Sequence, residues 1–183
     1  MEDLTIRTAS LDEFEDVINF YYDLIDSMQD AGSRPDWKKD VYPTRQFIYD
    51  SISKKNLYIA IINSSIAGSM VMNHVCSDAY SEVKWNVPAD HNEIMIIHAL
   101  AVSQNVQGKG IAKKIMEYSI DFCENNGIKA IRLDVLPSNK SACKFYEKMN
   151  FVYIGKVQLF YEDTGLTDFL LYELEISRSK PLT

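Results

Sequence analysis

At 183 residues and 21.0 kDa, the chain is sized for one domain that can bury about 70% of the surface its unfolded form exposes. Nineteen lysines and arginines against 26 acids leave a formal charge of -7, which disfavours a nucleic-acid or anionic-membrane surface and favours cationic partners. Three cysteines without C-x-x-C spacing argue against a disulfide scaffold or a structural zinc site, and point to a cytoplasmic setting.

The opening MEDLTIR is acidic and has neither the basic nor the apolar region of a signal peptide. Residues 4–8 alternate as a short strand, and Ser10-Leu11-Asp12-Glu13 has the form of a capping box, so a helix should follow. Leu11, Phe14, Val17, Ile18, Tyr21, Leu24, Ile25 and Met28 recur at three and four and give that helix one apolar face. Residues 30–43 carry Gly32, Pro35 and Pro43 and read as a loop, while Phe47, Ile48, Ser51 and Ile52 suit a second, shorter helix. Runs at 57–62 and 67–73 flank Asn63-Ser64-Ser65, which is turn chemistry, and predict a hairpin. Residues 78–92 read as loop.

Strand 93–102, helix 109–125, strand 130–135, helix 139–149 and strands 151–159 and 169–176 complete the pattern. The longest apolar run, 94–102, contains His98 and falls far short of the ~20 residues a membrane span needs, so no membrane partner is expected. The class is α+β, a single domain over 1–183 with helices covering a mixed sheet.

Gln107-Gly108-Lys109-Gly110-Ile111-Ala112 joins a strand to the first turn of a helix. Several N–H groups there lack helical partners and the helix dipole adds positive charge, so the turn reads as an anion site. The glycines let backbone approach a phosphate, and the small Ala112 lets the helix sit close on its strand. A Walker A loop is excluded because isoleucine follows Gly110, and the spacing of a dinucleotide fingerprint is poorly met.

The segment matches Q/R-x-x-G-x-G/A at Gln107, Gly110 and Ala112, and so resembles the acetyl-CoA pyrophosphate loop of the GCN5-related N-acetyltransferase (GNAT) superfamily. After the next strand, NKSACKFYEKMNFVYIG resembles the same superfamily's N-x-x-A-x-x-F-Y-E-K-x-G-F, at Asn139, Ala142, Phe145, Tyr146, Glu147, Lys148 and Phe151. Asn150 stands where glycine is usual, and asparagine tolerates the left-handed backbone that the turn needs.

The resemblance implies a twisted, mostly antiparallel sheet of six to seven strands flanked by about four helices. It also implies acetyl-CoA as co-substrate, no metal, a small-molecule primary amine as acceptor, and the dimers common in that superfamily. Cofactor contacts then fall on Leu100, Ala101, Val102, on Gln107, Gly108, Lys109, Gly110, Ile111, Ala112 and Lys113, and on Asn139 and Lys144.

Acetyl transfer to an amine also needs an acid for the leaving thiolate and a base for the ammonium. The resemblance sets Tyr146 beside the thioester sulfur as the acid; the other reading is a core aromatic sharing a helical face with Ala142, Phe145 and Met149. His98, with an ordinary pKa near ~6.5, is either the base or a hydrogen-bonded structural histidine. It falls on the strand face of Leu100 and Val102. In the arylalkylamine branch of the superfamily a histidine at this place helps conduct the amine proton outward, but its second histidine, two residues earlier, is Ile96 here. Glu93 is a further base, acting through water. Trp37, Tyr42, Trp85, Tyr161, Glu162 and Asp163 fall in segments that form the acceptor pocket in that superfamily, and aromatics beside carboxylates suit an amine cation. Two other functions are compatible: a non-catalytic acyl-CoA sensor and a protein or peptide acetyltransferase.

Overall fold

The computed structural model describes residues 4–28 and 35–177; Gly32, in the expected loop, lies outside them. Seven strands form one sheet: β1 (Thr5–Thr8), β2 (Leu57–Ile62), β3 (Ser65–Asn73), β4 (Ile94–Val102), β5 (Ala130–Val135), β6 (Val152–Tyr161) and β7 (Gly165–Glu175). Their order is β1-β2-β3-β4-β5-β7-β6, and every neighbouring pair is antiparallel except β4 and β5. Helices α1 (Phe14–Ser27) and α2 (Arg45–Ser53) pack on one face of the sheet, α3 (Ile111–Asn125) and α4 (Lys140–Lys148) on the other. None of the described helices is long and apolar enough to cross a membrane.

Local chemistry explains most boundaries. The Ser10–Glu13 capping box forms, and Glu13 also takes a bidentate hydrogen bond from Arg7 at 2.6 and 2.8 Å, which ties β1 to the start of the helix. The β2–β3 turn is two residues long, because Asn63 and Ser64 adopt φ of 50° and 64°, and β3 therefore begins at Ser65 rather than at 67. The β6–β7 hairpin runs past the expected ends, closing through a three-residue loop with Gly165 at φ 67°. Asn150 takes the left-handed conformation, φ 66°, that its place after α4 requires.

Segment 78–93 is more ordered than its polarity implies. Short 3-10 turns form at Asp78–Glu82 and His91–Glu93, with Tyr80 buried. A buried ion pair anchors it: Arg132 on β5 meets Glu173 on β7 at 3.0 Å, and the Glu173 carboxylate accepts from the Asn86 and Val87 amides. The Arg132 guanidinium also donates to the Val87 carbonyl and lies 4.1 Å from the ring centre of Trp85.

Candidate active site

The parallel pairing of β4 and β5 covers only Ile94–Ile96 against Ala130–Arg132. Beyond it the strands diverge around a cavity of about 420 Å³, lined by residues 97–102 of β4, by 134–136, by Gln107 and Ala112, and by Asn139, Ala142, Phe145 and Tyr146. A bulge in β4 contributes to the divergence. His98 pairs with Val71 and Ala101 with Ser69, so β4 carries one extra residue, and Ala99 sits at φ 50°. The buried Tyr21 of α1 donates its hydroxyl to the Ala99 carbonyl at 2.8 Å, holding the bulge.

The bulge also resets which side chains share a face. Leu100 and Val102 pack on the α3 side, whereas Ala99 and Ala101 join the α1 and α2 side, where His98 meets Phe47 at 6.4 Å. The expectation that His98 shares a face with Leu100 and Val102 is therefore corrected, since strict alternation fails across an inserted residue.

At the glycine turn, Gly108 and Gly110 have φ of 77° and 80°, which glycine adopts without strain. Gly110 caps α3 without a side-chain partner, and the first helical bond runs from the Lys114 amide to the Gly110 carbonyl, at 3.0 Å. The amides of Ile111, Ala112 and Lys113 are thus left to an external acceptor, next to the cavity that Ala112 lines. Gly68 on β3 also permits close packing of α3, since a Cβ there would stand 2.6 Å from Ile115 Cδ1. Lys113 and Lys114 both reach Glu117, at 3.6 and 3.1 Å, while Lys109 and Lys144 are exposed and outside the cavity lining. Asn139 caps α4 by accepting from the Ala142 amide, and also borders the cavity. A diverging strand edge, a slot and a set of unpartnered amides fit an acyl-thioester arm ending in a diphosphate.

Tyr146 lines the cavity, 8% exposed, packed on Phe145, Phe151 and Tyr172. Burial first, and then the charge of Asp134, push its hydroxyl well above the usual tyrosine range, so it stays protonated. His98 faces Asn73 Oδ1 at 3.1 Å and the Val75 carbonyl at 3.0 Å through Nε2. The Asn73 oxygen also accepts from the Val75 amide, so Nε2 faces two acceptors and carries the proton, leaving Nδ1 as the lone-pair nitrogen. Burial lowers the pKa of His98 to about 4, with the Val75 bond opposing. Glu93 lies before β4, at the strand end remote from the cavity, and bonds Lys129 at 2.8 Å.

Sequence reasoning missed Asp134. At the end of β5 it lines the cavity and accepts from Tyr80 at 2.8 Å and Tyr161 at 3.2 Å. Burial raises its pKa, and the two hydroxyls partly offset this. Trp37, Tyr42, Tyr161 and Asp163 line the same cavity, with Tyr42 6.0 Å from Trp37 and 5.8 Å from Tyr161. Trp85 does not: its indole donates to the Tyr80 carbonyl and its ring covers Arg132, a structural role.

A family model described as the acetyltransferase (GNAT) family matches residues 19–151. N-alpha-acetyltransferase 30 of Schizosaccharomyces pombe is 31% identical over 77 residues, 42% of this chain and 51% of that protein. Streptothricin acetyltransferase of Escherichia coli is 26% identical over 111 residues, 61% of this chain and 55% of that protein. The chain spans about half the length of these curated relatives. A solved acetyltransferase of the GNAT family from Streptococcus agalactiae shares the fold, with a TM-score of 0.79 at 22% identity over 96% of each chain.

Proposed function

The chain belongs to the acetyltransferase (GNAT) family, and on that premise we propose that it moves an acetyl group from acetyl-CoA to the primary amine of a small molecule, by direct transfer with both substrates bound. The supporting observation is one cavity at the β4–β5 divergence, which borders the glycine turn at Gln107 and Ala112, Tyr146, Asp134 and the rings of Trp37, Tyr42 and Tyr161. In this reading the free edge of β4 at Leu100, Ala101 and Val102 binds the amide-bearing arm, and the first amides of α3 hold the diphosphate. A trans peptide points its N–H opposite its carbonyl, so tying the Ala99 carbonyl to Tyr21 turns the Leu100 N–H the other way. There it polarises the thioester carbonyl as negative charge develops.

An alkyl ammonium with a pKa near ~10.4 must lose its proton before attack. Asp134 takes that proton, because its raised pKa makes it a better base than an ordinary aspartate. His98 at about pKa 4 is a weak base, and its role is to position the acceptor through Nδ1. Tyr146 donates a hydrogen bond to the sulfur as the C–S bond breaks and the amide forms. Cys76, Cys123 and Cys143 all lie off the cavity lining, and burial pushes the Cys123 thiol up to about 12, which favours direct transfer over an acetyl-cysteine intermediate.

The test is free-thiol release from acetyl-CoA against small amines, polyamines, aminoglycosides and peptides. Tyr146→Phe and Asp134→Asn should each lower kcat by about 100-fold while acetyl-CoA still binds. Wild-type kcat in both variants would overturn the assignment. Tight acetyl-CoA binding without turnover would favour the sensor, and peptides outcompeting every amine would favour a protein substrate.

A further inference from the structure

Asp163 is the second carboxylate in the cavity, and it differs from Asp134. It sits in the three-residue loop between β6 and β7, 9% exposed, and lines both the reaction cavity and a wider groove that also borders Asp36 and Lys38. Among the described residues, its Oδ1 is the one buried side-chain atom without a hydrogen-bond partner. The nearby Lys38 ammonium donates to the Asp163 backbone carbonyl, at 3.0 Å. The Asp163 and Thr164 amides and the Lys38 charge favour the ionised carboxyl, but Oδ1 itself has no partner among the described residues, and a buried oxygen left unmatched is costly, so it calls for a further donor.

The surroundings select the donor. Asp134 and Asp163 flank the same pair of rings: Tyr161 bonds Asp134 through its hydroxyl and stands two residues before Asp163, and Tyr42 feels the negative charge of both acids. Trp37 and Tyr42 add electron-rich faces beside them. Two carboxylates among aromatic rings suit two cationic nitrogens joined by an apolar link, through charge pairing and cation–π contact.

We infer that the acceptor is a diamine, one amino group reacting at Asp134 and the other held as an ammonium by Asp163 between Trp37, Tyr42 and Tyr161. This rests on the acetyltransferase reading and narrows its substrate class.

The experiment compares thiol release for straight-chain α,ω-diamines of two to seven carbons with the monoamines that replace the distal amino group by methyl, for the native protein and for Asp163→Asn. The native protein should prefer the diamine by about 10- to 100-fold in kcat/KM, with an optimum inside the series, and Asp163→Asn should abolish most of that preference, chiefly through KM. The native comparison needs no variant, so it stands even where the substitution unfolds the loop. Equal use of monoamines and diamines, a preference that survives in Asp163→Asn, or selective use of peptides overturns the diamine while leaving acetyl transfer intact. No thiol release above background with any amine or peptide overturns both.

Discussion

His98 shows how one residue can be chemically apt and structurally reassigned. Its Nε2–H is committed to the Val75 carbonyl, and the fold keeps it neutral down to about pH 4, against 6.5 ordinarily. Between those values the unfolded chain binds the proton first, so this residue's contribution to stability is present above pH 6.5 and is lost as pH falls towards 4. Asp134 and Asp163 act in the opposite sense, since burial raises both, so the test must compare proteins rather than read one slope. Melting curves should show His98→Gln losing less stability than the native protein on acidification from pH 7 to 4.5; parallel slopes would refute the shift. Asp134 escaped notice in the sequence for a physical reason. In Ala-Ile-Arg-Leu-Asp-Val the polar residues alternate with apolar ones, which reads as a strand with one solvated face. That face is covered by segment 78–93, through Tyr80 and Trp85, and by Tyr161 of β6, which leaves Arg132 buried and Asp134 half-buried.

At the scale of elements, the cavity depends on how closely α3 lies on β3 and β4. Gly68 permits that approach: an added Cβ would stand 2.6 Å from Ile115 Cδ1 and 3.0 Å from the Ala101 carbonyl. The isoleucine end can swing aside, but the carbonyl belongs to the strand that forms the cavity wall. Gly68→Ala should therefore cost about 1–3 kcal/mol in urea denaturation and weaken acetyl-CoA binding in parallel. An unchanged midpoint would mean that the helix has slack at this contact. The helices and most strands were legible because their periodicity and caps are local. The Ala99 bulge was not, because it is stabilised by Tyr21, a residue 78 positions away, and by the register of β3.

At the scale of the molecule, the cavity interrupts the sheet: β4 and β5 share only a short ladder and then part. A ligand that bonds the free edge of β4 and also the start of α3 joins elements that the protein leaves apart, and it binds only the folded form. Acetyl-CoA at 100 times its dissociation constant should add about 2.7 kcal/mol and raise the melting temperature by about 5–10 °C. No shift at saturation would mean that the turn at 107–112 has been misread.

The sequence by itself determined most of the elements, the glycine turn and the family, because each is written in short-range spacing: Gln107 to Ala112, and Asn139 to Phe151. It also nominated Tyr146, His98 and four residues of the cavity lining, Trp37, Tyr42, Tyr161 and Asp163, while Trp85 and Glu162 lie outside that lining. Tertiary structure alone decided that Asp134 joins Tyr146 in one cavity, that His98 turns away from the face of Leu100, and that Asp163 is left with an unmatched oxygen. Those are facts of burial and of register between distant segments, and no local pattern of residues encodes which surface another part of the chain will cover.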